Sequence, residues 1–212
     1  MSIYTPRHFV NDDSAAIARV LETFGFATLI TSVPGAETMV SHVPLLHEAR
    51  DGTQGVLIGH VAAANPHAAL MTEGPTFAVF HGPQGYVSPN WYEAPAASVP
   101  TWNYVAVHVH GRIERIDGLD AKRDIVDQLS SRHEASFPKP WTIAKMEPAL
   151  LDRMLGAIVG FRMTIERVDA KFKLTQNRSA ADRAGVINGL EARGSAPERA
   201  LAEWMRSYSA RD

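Results

Sequence analysis

A mainly β domain with helical insertions (α+β), built on an antiparallel barrel of about six strands, is the fold class this sequence predicts. Three observations predict it. Short β-rich runs follow one another in hairpin-like order, with apolar and polar residues alternating in the longest of them. Regular βαβ alternation and a GxGxxG turn are both missing, which argues against a dinucleotide-binding parallel sheet. The chain has 212 residues, 45% hydrophobic and 21% charged, which suits one core or one domain with a small appendage. Closing the sheet would also remove exposed strand edges.

In chain order, Asn11, Asp12, Asp13 and Ser14 offer N-caps, and Ile17, Val20, Leu21 and Phe24 fall at helical spacing before Gly25. Residues 25–32 (GFATLITS) read as a strand, Pro34-Gly35 as a turn, 38–46 (TMVSHVPLL) as a second strand, and Asp51-Gly52 as another turn. Residues 55–61 (GVLIGHV) make a third strand. Asn65-Pro66 then starts a short helix through Leu70 and Met71, and 76–81 (TFAVFH) is the fourth strand. Residues 82–100 carry Gly82, Pro83, Gly85, Pro89, Pro95 and Pro100, and are expected to form a long loop held by Tyr86, Trp91 and Tyr92. Residues 101–117 (TWNYVAVHVHGRIERID) alternate as a long strand, with Tyr104, Ala106, His108 and His110 facing one way and Val105, Val107 and Val109 the other. A helix over 119–133, a Pro138-Pro140-Trp141 linker and a helix over 147–155 follow. The last strand covers 157–168 (AIVGFRMTIERV) and runs on into 171–174, and helices are expected from Ser179 and over 197–208.

Composition excludes several chemistries. There is no cysteine, hence no disulfide scaffold, thiolate metal site, Fe–S cluster or Cys nucleophile. The net charge of −2 disfavours a strongly basic nucleic-acid protein, though not a local patch. No run reaches the ~18 apolar residues of a membrane helix, and residues 1–8 lack a leader's apolar stretch, so a cytoplasmic protein with no membrane partner is expected. GxSxG, HExxH, P-loop and paired-acid motifs do not occur, and no catalytic residue is assigned.

Three places can carry chemistry. Lys171, Lys173 and Thr175 share a face of an extended segment, and Gln176, Asn177 and Arg178 lead to a helix that Ser179 can cap. Cations, amides, a hydroxyl and a helix N-terminus suit a phosphate, and a solvated basic strand end with an ordinary cap reads equally from the same residues. Ser41-His42-Val43-Pro44 and residues 59–67 (GHVAAANPH) supply small residues after a strand, where a flat ligand can approach. There Asn65 is either a donor to the ligand or a helix cap, and His42 and His60 are either ligand contacts or core and rim histidines. The aromatic loop with the following strand, His81, Tyr86, Ser88, Asn90, Trp91, Tyr92, Trp102, Asn103 and Tyr104, suits a planar ligand, a subunit contact or loop packing. His108 and His110 share a strand face, but no third ligand stands at a metal-site spacing, and no metal is assigned.

Several blocks together, 1–9 (MSIYTPRHF), 41–46 (SHVPLL), 59–67, 80–92 (FHGPQGYVSPNWY), 99–111 (VPTWNYVAVHVHG), His133-Glu134 and 157–177 (AIVGFRMTIERVDAKFKLTQN), resemble the PaiB-type family of FMN-binding negative transcriptional regulators. The resemblance runs in order over nearly the whole chain. It implies a split β-barrel like that of pyridoxamine-phosphate oxidases and flavin reductases, over residues 1–178, with 179–212 as a helical extension packed on the barrel or dimer. It also implies FMN as cofactor, a homodimer with flavin at the subunit interface, and flavin-site positions at Ser41, His42, His60, Asn65, Trp102, Lys173, Gln176 and Asn177. Thr175 stands where related chains often have Ser, which keeps the hydroxyl. DNA is implied as a partner of a regulator. No helix-turn-helix is evident, so contact would fall to Arg178, Arg183, Arg193, Arg199 and Arg206, which read equally as residues of solvated helices. The alternatives are an FMN-dependent oxidoreductase acting on a small substrate, with His60, His81 or Tyr104 as candidate proton donors, and a haem-binding or haem-degrading relative with His8, His42 or His133 as candidate ligand.

Overall fold

Helix α1 (Ser14–Thr23) forms where Asp13 can cap it: in the computed structural model, which describes residues 3–50 and 53–209, the Asp13 carboxylate accepts from the N–H groups of Ala15 and Ala16 at 2.9 and 3.2 Å. Seven strands follow: β1 (Phe26–Thr31), β2 (Met39–Pro44), β3 (Leu46–Glu48), β4 (Val56–Ala62), β5 (Thr76–Val87), β6 (Thr101–Ile116) and β7 (Ile158–Lys173). They form one sheet in the order β2-β1-β5-β6-β7-β4-β3. The pairs β1–β2, β1–β5, β3–β4 and β4–β7 are antiparallel. The helices are α2 (His67–Leu70), α3 (Leu119–Glu134), α4 (Pro148–Gly156), α5 (Ala180–Arg193) and α6 (Ala196–Ser209).

Three expectations change. The strand expected over 38–46 is two strands, so there are seven rather than six. Pro44 has no N–H to give to a ladder. Leu45 turns into the core, its own N–H donating to Gly25 O at 2.8 Å. The chain thereby leaves β1 as a partner and takes up β4. Strands β2 and β3 are the two edges of the sheet and are joined through Leu45, not by a hydrogen-bonded ladder. The sheet is therefore not the closed cylinder expected from the strand pattern but agrees with the split barrel that the resemblance implies. Third, β5 runs on through Val87, although Gly82, Pro83 and Gly85 argued for a loop there. A Cβ at Gly82 would stand 2.8 Å from Val105 Cβ, so glycine is what lets the backbone come close enough to pair. The remaining loop contains two 3-10 turns, Pro89–Trp91 and Pro95–Ala97. The Asp51-Gly52 turn lies outside the described residues.

The chain divides into two compact units. The first comprises Met1–Val20, His81–Val107 and Asp169–Asp212, and the second Leu21–Phe80 and His108–Val168. Phe172, Leu174, Val186, Leu190 and Leu201 are fully buried in the first, with Trp204 edge-on to Phe172 at 6.0 Å between centroids. Helices α5 and α6 thus belong to a unit that also holds the ends of the three long strands. In the second unit Val56 and Ile58 of β4 pack against Ile125 and Leu129 of α3. Each such side chain stabilises by roughly 1.5–3 kcal/mol when fully buried. Lys122 of α3 is buried as well, its ammonium donating to the Leu155 carbonyl near the end of α4, where a cation also meets the negative end of the helix dipole.

Candidate functional site

In the first unit, strand β6 sends alternate side chains inward, and Asn103 stands on the same face as Val105, Val107 and Val109. A polar residue on an apolar face needs a partner. Asn103 Nδ2 donates to Thr175 Oγ1 at 2.7 Å, while its Oδ1, also buried, has no hydrogen-bond partner. Thr175 stands two residues past the end of β7 and has φ +66°, a left-handed conformation that a β-branched residue seldom adopts. That turn releases the chain from β7 and brings Asn177 and Arg178 round to the end of β6.

The result is a cavity of about 220 Å³ lined by Thr101, Asn103, Lys173, Thr175, Asn177 and Arg178 among others. The Lys173 ammonium donates to Thr101 Oγ1. Burial, and secondarily the repulsion of Lys171, lower its pKa below the ordinary lysine value, as expected of a cation without a counter-charge. The Arg178 guanidinium lies over the Tyr92 ring at 4.6 Å from its centroid. Neither Lys173 nor Arg178 has a carboxylate partner among the described residues. Two cations, two hydroxyls and two amides make a site for an oxygen-rich anion.

The helix N-terminus anticipated for this site is already occupied. Ser179 Oγ accepts from Asp182 N at 3.0 Å, and the Asp182 carboxylate in the first turn of α5 accepts from Glu93 N at 2.9 Å. Of the four positions that the resemblance implies in this unit, Lys173 and Asn177 line the cavity. Gln176 turns back on its own chain, accepting from Leu174 N at 2.7 Å and donating to Phe172 O. Trp102 is on the opposite face of β6 from Asn103, 48% exposed, and donates to Gln84 Oε1 at 3.0 Å. Asn103, Thr101 and Arg178 were not among the implied positions. The signal for Asn103 was its place in the inward series.

The four implied positions of the second unit separate in the same way. Ser41 and Asn65 come together, Asn65 Nδ2 donating to Ser41 Oγ at 3.0 Å. Asn65 also caps α2 in the way anticipated, its Oδ1 accepting from the His67 backbone N–H at 2.9 Å. His42 points away from Ser41, as alternation requires, with its Nδ1 3.1 Å from Thr28 Oγ1 on the outward face. His60 shares a face of β4 with Val56 and Ile58. Its pKa is lowered by burial, and its Nδ1 is buried without a partner. A second cavity, about 460 Å³, is lined by Leu45, His47, Glu48, Arg132 and His133 among others, and none of the implied positions lines it.

The other candidates fare variously. Lys171 donates to Tyr4 O at 2.8 Å and stands 5.4 Å from the centroid of Tyr104. Phe77 stacks on His110 at 5.7 Å. Arg193 pairs with Glu198, and Arg206 with Glu191, so each of these two candidate DNA-contacting arginines has a carboxylate partner. Among the described residues no group of three or more His, Asp or Glu can hold a metal ion, and no helix is long and apolar enough to cross a membrane.

Comparison with known proteins places these features in a family. The chain is 29% identical over 204 residues, 96% of each chain, to the protease synthase and sporulation protein PAI 2 of Bacillus subtilis. It is 30% identical over 201 residues to an uncharacterized protein of Emericella nidulans, covering 78% of this chain and 80% of that one. Among solved structures, the FAD and heme binding protein of Mycobacterium smegmatis has a TM-score of 0.56 at 17% identity, covering 88% of this chain and 80% of the other. The flavocytochrome Anf3 of Azotobacter vinelandii has a TM-score of 0.56 at 13% identity, covering 85% of this chain and 78% of the other. At such identities these two matches show the fold, a split barrel. The profile described as "Putative FMN-binding domain" matches residues 3–167, so the chain belongs to that FMN-binding, PaiB-like split-barrel family.

Proposed function

We propose that this protein is a cytoplasmic, homodimeric FMN-binding protein with a regulatory role, and that the cavity of the first unit takes the FMN phosphate. The observation that carries this reading is that Lys173 and Arg178 line one cavity, beside Thr101, Thr175 and Asn177, with no carboxylate partner for either cation among the described residues. Lys173 and Arg178 would balance the phosphate charge, and Thr101, Thr175 and Asn177 would bond its remaining oxygens. Bound FMN supplies redox chemistry, and the protein supplies anchoring, orientation and shelter from water. Taken by itself, the second unit offers Ser41 and Asn65, a hydroxyl and an amide of the kind that binds the polar edge of a flavin ring.

The test is titration with FMN and riboflavin, followed by quenching of flavin fluorescence. Lys173→Ala should weaken FMN by roughly 1.5–3 kcal/mol and leave riboflavin nearly unchanged, because only FMN carries the phosphate. Equal weakening of both would place Lys173 away from the phosphate.

Pairing of two copies is supported by the outward face of β1 and β2. Phe26 is 68% exposed and Val40 55% exposed, and Ile30 and Phe77 lie beside them in register. Val40→Lys should convert the dimer to a monomer in sedimentation equilibrium; an unchanged mass would reject this face. The regulatory role is supported by the Bacillus relative, whose name refers to protease synthesis and sporulation. A salt-sensitive and sequence-selective gel shift with the DNA upstream of its own gene is the result expected of a DNA-bound regulator. Sequence-indifferent binding would count against it.

A further inference from the structure

The polar cluster around Ser41 extends into the core of the second unit. His67 is 1% exposed, and both its ring nitrogens meet hydroxyls. Nδ1 is 2.9 Å from Ser41 Oγ, and Nε2 is 2.8 Å from Thr31 Oγ1. Thr31 Oγ1 is in turn 2.7 Å from Thr76 Oγ1, and the Thr76 hydroxyl reaches the Met71 carbonyl at 3.5 Å. Burial lowers the His67 pKa, so the ring is neutral and carries one N–H.

Only one direction satisfies this chain throughout. The Asn65 Nδ2 group at one end can only donate, and the Met71 carbonyl at the other can only accept. Asn65 therefore donates to Ser41, Ser41 to His67 Nδ1, His67 Nε2–H to Thr31, Thr31 to Thr76, and Thr76 to Met71. The opposite tautomer would aim two donors at Ser41 Oγ, turn the Ser41 hydrogen away from its partner, and leave the Met71 carbonyl without the Thr76 bond. The Asn65 amide is locked at its other end too. Its Oδ1 is held by the His67 backbone N–H, and a flip would set donor against donor. What remains free at this half-exposed corner is the second Nδ2–H of Asn65.

We propose that His67 is a positioning residue of the flavin site: through Ser41 it holds the Asn65 amide so that position 65 presents an N–H, and so takes a hydrogen-bond acceptor on the flavin ring edge. This rests on the flavin reading above. A plain packing role, tying α2 to the strands beneath it, would use the Thr31 bond as much as the Ser41 bond. The two arms can be cut separately. In His67→Asn the amide lies near the former Nδ1 and keeps a partner for Ser41. In His67→Gln it reaches the former Nε2 and keeps Thr31, leaving the Ser41 hydrogen unpartnered.

The experiment combines nitrogen NMR of the flavin-free protein with flavin titrations of the variants. The Nε2–H tautomer of His67 is expected in the wild-type protein, a measurement that needs no variant to fold, and an Nδ1–H tautomer overturns the proposal. His67→Gln should weaken FMN and riboflavin alike by roughly tenfold, because the effect is on the ring and not the phosphate. His67→Asn should stay within about threefold of wild type. Equal loss in His67→Gln and His67→Asn, with normal binding by wild type, overturns the role of His67 alone. Failure of the wild-type protein to take up flavin overturns the flavin reading itself, and this proposal with it.

Discussion

Thr175 combines a left-handed backbone with a buried hydroxyl bond, φ +66° and 2.7 Å to Asn103 Nδ2. The backbone conformation costs roughly 1–2 kcal/mol for a residue with a Cβ, and the hydroxyl bond returns about 1 kcal/mol. The two nearly cancel, so stability alone gives little reason for threonine here, and ligand binding gives a better one. Thr175→Gly should therefore change unfolding free energy by less than about 1 kcal/mol, while FMN affinity falls as the cavity loses a hydroxyl. Urea denaturation beside a flavin titration checks both, and a collapse in stability with intact binding would refute the argument. Asn103 is the other half of that bond, a buried side chain whose Nδ2 is satisfied by Thr175 and whose Oδ1 has no partner.

At the scale of elements, the loop after β5 is held by helix α5. Gly185 and Gly189 are one helical turn apart and leave a groove for Trp91. A Cβ at Gly185 would stand 2.0 Å from the Trp91 carbonyl oxygen, and one at Gly189 would stand 2.3 Å from the Trp91 ring. The proline-rich loop is thus ordered by packing, and it carries Tyr92 to the cavity beneath Arg178. Gly185→Ala should destabilise by about 1–3 kcal/mol through overpacking and expose residues 88–100 to limited proteolysis. Wild-type stability and wild-type cleavage together would show that Trp91 has room to move. Strand β7 has a comparable role, since its length delivers Lys171 and Lys173 at its far end as one unbroken element.

For the molecule as a whole, acid stability depends on its buried histidines. Burial lowers the pKa of His60 and His67 below the ordinary imidazole value of 6.5. Between that value and the lower folded one, the unfolded chain binds protons that the folded chain does not. Stability is therefore full above about pH 6.5 and falls as pH drops through that window, by at most about 1.4 kcal/mol per pH unit for each histidine. Urea midpoints at pH 7.5 and 5.5 test this, and His67→Gln should flatten the dependence by its own share. A midpoint that rises on acidification would contradict it.

Periodicity alone located nearly every element, because a strand or helix that buries one face must repeat its apolar residues at a period of about two or 3.6. It also put Lys173, Thr175 and Asn177 next to one another in the chain, where a cationic turn is legible. Three things were settled only in three dimensions. Leu45 turns a single apolar run into two strands, since one proline and one inward leucine exchange the pairing partner. Residues 82–87 join β5, since glycine there answers the close approach of Val105, a neighbour not visible along the chain. The group of Ser41, Asn65 and His67 forms because a four-residue helix folds over two strands and buries an imidazole among hydroxyls. Local sequence specifies which faces must be buried; which polar atoms meet beneath them depends on contacts between distant segments, and these exist only once the sheet has formed.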